Sequence, residues 1–244
     1  MIHTVGIIGY GHFGRFLHEL GQQFLPEVEF RIYSRRAETD NVTYFSLEKT
    51  AQSDVVILAG AIHEYEAQIR SVLEHSSPET ILIDVATVKK HTSGLLKKYC
   101  EGRRFISTHP MFGPESYKKH DGNVSGFRIV ITDTTIPRLD LEKIKGCLQG
   151  LGFVVIEMTA DEHDQKLAET LFLTHYIAQT MKTGHFGRTD LDTVSFGSLM
   201  NAVESVQNDR KLFEDVYRYN PYCRKVAEKF HTAQDLVYKS VSKE

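Results

Sequence analysis

The chain is poor in cysteine. Cys100, Cys147 and Cys223 are the three in 244 residues, far apart and in no CxxC pair. That excludes a disulfide-stapled scaffold and a CxxC metal site, and predicts ordinary thiols in a reducing compartment. No metal is expected. Long apolar runs are also missing, so no segment spans a bilayer. Neither sign of charge dominates: 29 basic and 32 acidic side chains leave a formal net charge of −3. That balance gives no reason to expect nucleic acid or a membrane as partner. Internal repeats and low-complexity linkers are absent. The first apolar run begins within a few residues of Met1, so no leader is expected and the location is read as cytoplasmic.

What is present is ordinary for a soluble globular protein, with 41% hydrophobic and 25% charged residues. Strand-like apolar runs lie at Thr4–Ile8, Val28–Tyr33, Asp54–Ala59, Thr80–Asp84, Phe105–Thr108, Phe127–Thr132 and Phe153–Glu157. Helical spacing separates several of them, as at Tyr65–His75 and Leu139–Leu151. Such alternation predicts an α/β domain over residues 1–158 with a doubly wound, mostly parallel sheet. After Met158 no strand pattern appears. Glu162–Thr183, Ser198–Tyr217 and Tyr222–Ser240 carry helical spacing, which predicts an all-helical C-terminal domain over residues 159–244.

Two stretches carry chemistry. In the first, the run Thr4–Ile8 leads into Gly9-Tyr-Gly11-His-Phe-Gly14, and Phe16, Leu17 and Leu20 continue with helical spacing. A GxGxxG between a strand and a helix marks a Rossmann-type dinucleotide site. Gly9 permits the tight turn, Gly11 lets a pyrophosphate reach the backbone, and Gly14 lets the helix pack on its strand. His12 and Phe13 fall at the helix N-terminus, where free N–H groups and the dipole meet phosphate. The next strand ends in Ser34-Arg35-Arg36, with no acid at its tip. A hydroxyl and two guanidiniums suit the adenosine 2′-phosphate of NADP, since arginine grips phosphate in a fork. The plain alternative is a solvated turn.

The second is His109-Pro-Met-Phe-Gly-Pro114, after the run Phe105–Thr108. A histidine just past a strand end, between prolines and a glycine, is expected on a stiff exposed loop, where α/β enzymes place reacting groups. Asp84-Val-Ala-Thr87-Val-Lys89 follows another strand and should face the same crevice.

Together with His163-Asp164 and His175, these pieces resemble the prephenate/arogenate dehydrogenase family. Ser34-Arg35, Pro114-Glu115-Ser116, Leu199–Glu204 and Tyr219-Asn220-Pro221 resemble its plant-type arogenate branch. The resemblance covers nearly the whole chain. It implies hydride transfer from the ring carbinol of prephenate or arogenate to the nicotinamide, with loss of the ring carboxylate as carbon dioxide and aromatisation of the ring. On that reading His109 takes the hydroxyl proton. Thr87, where the family has Ser, hydrogen-bonds the hydroxyl or the nicotinamide side. Lys89 steadies its loop or attracts the dianionic substrate, with a solvated surface lysine as the alternative. His175 lines the substrate pocket, and Glu115 contacts substrate or gates the cleft. His163 and Asp164 cap a helix start. The family's carboxylate-binding arginine is not placed; Arg188, Arg210, Arg218 and Arg224 are candidates. Asn208 and Asp209 straddle the position that chooses between ketone and ammonium side chains, with Asn208 slightly favoured. A homodimer through the helical domain is expected. Two rival readings remain, a β-hydroxyacid or imine-type NADP oxidoreductase and a non-catalytic NADP sensor. Neither explains the histidine loop.

Overall fold

The computed structural model describes residues 2–242. The chain divides into two compact units, Met1–Ala160 and Asp161–Glu244.

In the first unit each of the seven apolar runs forms a strand. They are β1 (Thr4–Ile8), β2 (Glu29–Tyr33), β3 (Val55–Leu58), β4 (Ile81–Asp84), β5 (Arg104–Pro110), β6 (Arg128–Thr134) and β7 (Val154–Glu157). Between them lie α1 (His12–Phe24), α2 (Leu47–Ala51), α3 (Tyr65–His75), α4 (Lys89–Tyr99), α5 (Pro114–Lys119) and α6 (Arg138–Gly150). The sheet order is β2-β1-β3-β4-β5-β6-β7. Every pairing is parallel except β5 with β6. This is the doubly wound, mostly parallel Rossmann-type sheet. β-Branched residues fill it because both faces are covered. Val5, Ile7, Ile32 and Val55 make one buried cluster. Phe16 and Leu20, one helical turn apart on α1, join Val124, Ile129 and Phe153 in a second.

The second unit is helical among its described residues: α7 (Ala160–Leu167), α8 (Leu173–Thr183), α9 (Val194–Val206), α10 (Arg210–Tyr219) and α11 (Cys223–Val241). A π-helical turn, Ala168–Phe172, joins α7 to α8. Simple 3.6-residue spacing does not announce it, and such turns often sit beside functional side chains. Phe172 is fully buried and stacks on Phe213 at 5.7 Å. No described helix is long and apolar enough to cross a membrane.

Candidate active site

Five strands, β1 to β5, run parallel, so their carboxyl ends share one edge of the sheet. That edge collects the glycine turn, the Ser34–Arg36 tip, the turn after β3, the segment 85–88 and His109. In open α/β sheets ligands bind there.

The glycine turn has the geometry a pyrophosphate needs. Gly9 sits at φ +101°, and a Cβ on it would lie 2.9 Å from the Gly60 nitrogen. A Cβ on Gly14 would lie 2.1 Å from the Gly9 carbonyl oxygen, so only glycine lets α1 start so close to its strand. Gly11 faces open space, with nothing within 4 Å of a built Cβ. It is also the N-cap of α1, and no side chain caps that helix. The first N–H groups and the positive end of the helix dipole are therefore left for an anion. These residues fit a dinucleotide. His12 is exposed at the first position of α1. Phe13 packs its ring on Phe16, with centroids 6.1 Å apart, so its offering is the backbone N–H.

Tyr10, between the first two glycines, is a residue the sequence pattern passes over. Its hydroxyl hydrogen-bonds His18 Nδ1 at 2.9 Å, its ring meets Tyr44 edge-on at 5.6 Å, and Arg15 lies 5.5 Å from its centroid. Burial raises the Tyr10 pKa and lowers that of His18. These contacts brace the turn. At the β2 tip the Arg36 amide donates to Ser34 Oγ at 3.3 Å, and Arg35 pairs with Glu64. Glu64 was not singled out by the sequence either.

His109 departs from expectation. It lies inside β5, paired with Val130 of β6, and is only 5% exposed. The antiparallel β6 prolongs the pairing to Pro110 opposite Ile129, and the Met111 amide still donates to Arg128 at 2.8 Å. An antiparallel neighbour that arrives later in the chain extended the strand, and local sequence does not reveal it. The stiff segment starts beyond His109. Phe112 anchors it in the core, stacked on Phe127 at 5.0 Å and Phe153 at 5.5 Å. Pro114 then opens α5, where Ser116 Oγ accepts from the Gly113 amide at 2.8 Å. Glu115 is exposed in that first turn.

Lys89 is not the solvated surface lysine of the alternative, because it is 0% exposed; its contacts are those of the other expected role, steadying its loop. Its ammonium donates to Asp84 Oδ2 at 2.6 Å and to the Thr108 carbonyl at 2.5 Å. Thr92 and Ser107 hydroxyls donate to the same Asp84 oxygen at 2.6 and 2.8 Å, and the Ala86 amide donates to Oδ1 at 2.8 Å. Thr108 Oγ1 donates to the Asp84 carbonyl at 2.8 Å. The Asp-x-x-Thr-x-Lys element is thus a buried polar hub that ties β4 and α4 to β5 at the residue before His109. Thr87 lies half-buried in the intervening turn. Thr92 and Ser107 were not foreseen, since neither belongs to a local pattern.

In the helical unit His175 is 4% exposed and its Nδ1 is buried with no hydrogen-bond partner among the described residues. Burial lowers its pKa, and the charge of Asp209 opposes that shift. A buried ring nitrogen left open is unusual, and it marks a candidate ligand contact. Asp209 precedes α10, whereas Asn208 Oδ1 accepts from Lys182 Nζ at 3.2 Å. His163 and Asp164 do not cap: α7 starts earlier, and the two pair inside it, Nδ1 to Oδ1 at 2.8 Å. Among the candidate arginines, Arg188 is held by Glu204 at 2.7 Å and Arg210 by Glu214 at 2.9 Å. No described cluster of His, Cys, Asp and Glu has the makings of a metal site.

The model of the family "Prephenate dehydrogenase, nucleotide-binding domain" matches residues 34–157. The chain is 30% identical to arogenate dehydrogenase 1, chloroplastic, of Arabidopsis thaliana, over 94% of this chain and 38% of that protein. It is 27% identical to arogenate dehydrogenase 2, chloroplastic, of the same plant, over 98% of this chain and 69% of that protein. The chain therefore spans well under half of the first relative's length. Among solved structures, prephenate dehydrogenase from A. aeolicus in complex with hydroxyphenyl propionate and NAD+ superposes with a TM-score of 0.73 at 17% identity, covering 100% of this chain and 93% of that one. At that identity the match speaks for the fold.

Proposed function

Since this chain belongs to the prephenate dehydrogenase family, we propose that it catalyses the NADP-dependent oxidative decarboxylation of arogenate, prephenate or both, the aromatising step towards tyrosine. One observation carries the reading. His109 lies near the carboxyl end of β5, on the same sheet edge as the glycine turn, and the Asp84–Lys89 hub fixes the backbone beside it. The bound nicotinamide supplies the hydride acceptor.

The chain's own residues do the rest. Gly9, Gly11 and Gly14, with the amides of His12 and Phe13, hold the pyrophosphate. Ser34, Arg35 and Arg36 read the 2′-phosphate. His109 accepts the proton of the substrate hydroxyl, and Thr87 hydrogen-bonds that hydroxyl. Lys89 positions the Thr108 carbonyl and touches no substrate. His175, kept neutral by burial, offers its open nitrogen to the substrate. Asp209 supplies negative charge near it, which suits the ammonium of arogenate. Glu115 and Asn208, both exposed, are outer substrate contacts.

The helical unit exposes Leu236, Val237, Tyr238 and Val241 on α11, which supports a homodimer through residues 159–244. A cytoplasmic location is part of the same proposal. The direct test mixes protein, NADP and either substrate and follows the absorbance of the reduced cofactor. Reduction with arogenate, and less with prephenate, is expected. Bound cofactor with no turnover of either substrate would return the chain to the sensor reading.

A further inference from the structure

Arg35, at the tip of β2, already holds an anion of the chain's own. Its guanidinium pairs with Glu64, in the turn Ile62–Glu64 beyond β3. The other carboxylate oxygen of Glu64 accepts from Gln68 Nε2 at 3.4 Å, and His63 Nε2 lies 3.9 Å from the first. The Glu64 side chain is 28% exposed against 69% for Arg35, so the carboxylate is the enclosed partner and the guanidinium the open one. Arg36, next along, has no acidic partner among the described residues. The tip thus presents two cations and one internal anion.

We propose that Glu64 is a built-in counter-anion for Arg35, which an adenosine 2′-phosphate must displace, and that it thereby sets how far the site prefers a 2′-phosphorylated nucleotide over one with a free ribose hydroxyl. This rests on the reading of Ser34–Arg36 as the 2′-phosphate site. Glu64 already takes Nη2 of the Arg35 guanidinium, and a phosphate that grips the guanidinium through that nitrogen competes with it. A phosphate beside Glu64 also meets a like charge, whereas a ribose hydroxyl does not. Glu64 therefore weakens the phosphorylated ligand selectively. The pair is partly exposed, so its weight is a few-fold in an equilibrium constant and not orders of magnitude.

Isothermal titration of the full chain with adenosine 2′,5′-bisphosphate and 5′-AMP tests this without turnover. The proteins are wild type, Glu64→Gln, Arg35→Ala and the double substitution. Wild type is expected to bind the bisphosphate more tightly than AMP. Glu64→Gln should tighten the bisphosphate about three- to fivefold and move AMP less than about twofold. Most of that gain should vanish in the Arg35→Ala background, because the competition is for Arg35. If wild type prefers the bisphosphate but Glu64→Gln leaves the ratio unchanged, the role of Glu64 is overturned and the 2′-phosphate reading stands. A Glu64→Gln protein that binds AMP more weakly also overturns it, since the carboxylate would then be holding ribose. Preference for the bisphosphate in Glu64→Gln alone supports Glu64 and overturns the 2′-phosphate reading of the native site. No preference in either overturns both.

Discussion

Lys89 and Asp84 form a fully buried ion pair, Nζ to Oδ2 at 2.6 Å, with neither side chain exposed. Such a pair is a poor source of net stability, because desolvating both charges offsets their attraction. Its effect here is geometric. Lys89 also holds the Thr108 carbonyl at 2.5 Å, and a bulge between Ser107 and Thr108 shifts the β5–β6 register at that point. The ammonium therefore fixes the strand where it bends, one residue before His109.

Breaking the pair from one side should be severe. Lys89→Met leaves Asp84 charged, buried and short of a partner, and is expected to lower unfolding free energy by about 3–5 kcal/mol. Adding Asp84→Asn removes the stranded charge, so the double variant should recover part of that loss. Denaturant midpoints of the three proteins measure it. A single variant no less stable than the double would show that the buried charge is not what matters.

His109→Asn keeps the size and a hydrogen-bonding end but removes the titratable base. Turnover should fall by roughly a hundred- to ten-thousand-fold, the range for general acid–base catalysis. Nucleotide affinity, read by titration, should barely change. Undiminished turnover would take His109 out of the mechanism.

The parts legible in the sequence are those whose partners lie nearby in the chain. The seven strands and the Gly9–Gly14 turn declare themselves because a strand, a tight turn and a helix start are each set within a few residues. The state of His109 and Lys89 was not legible, because it depends on pairing between distant strands. β6 extends β5 past its apolar run, and Thr92 of α4 and Ser107 and Thr108 of β5 converge on Asp84. Glu64 escaped notice for the same reason, lying 29 residues from Arg35. Periodicity also passed over the π-helical turn before His175, because the turn keeps the apolar face continuous.

His175 makes stability depend on pH in one direction. Burial lowers its pKa below the ordinary 6.5, so the unfolded chain binds more protons than the folded one as pH falls. Its contribution is complete above about pH 6.5 and is lost as the pH drops through the folded value, at no more than about 1.4 kcal/mol per pH unit for one group. His18, also lowered by burial, acts with the same sign. Denaturant midpoints between pH 5 and 7 should therefore decline towards acid, and His175→Gln should flatten the decline. An equal slope in the variant would assign the effect elsewhere.

On the proposed reading, cofactor choice rests on charge at the β2 tip. A charge-assisted hydrogen bond contributes roughly 1.5–3 kcal/mol. Replacing Arg35 and Arg36 together by Ala should weaken NADP at least about tenfold more than NAD. Equal weakening of both would show that these arginines do not read the phosphate.

On the proposed reading, substrate choice turns on Asn208 and Asp209, adjacent residues with different surroundings. The Asn208 amide oxygen is taken by Lys182 Nζ, while the charge of Asp209 reaches His175, the helical unit's candidate substrate contact. Prephenate carries a ketone where arogenate carries an ammonium, so a carboxylate near that group favours arogenate. Asp209→Asn removes the charge and keeps the shape. It should lower kcat/KM for arogenate relative to prephenate by about threefold to tenfold, the upper end matching roughly 1.4 kcal/mol. Asn208→Asp gains an ion pair with Lys182, which absorbs the new charge, so its ratio should move less. Steady-state kinetics with both substrates on the three proteins decide this. If Asn208→Asp moves the ratio and Asp209→Asn does not, the discriminating position is Asn208. If neither moves it by threefold, the turn between α9 and α10 does not choose the substrate.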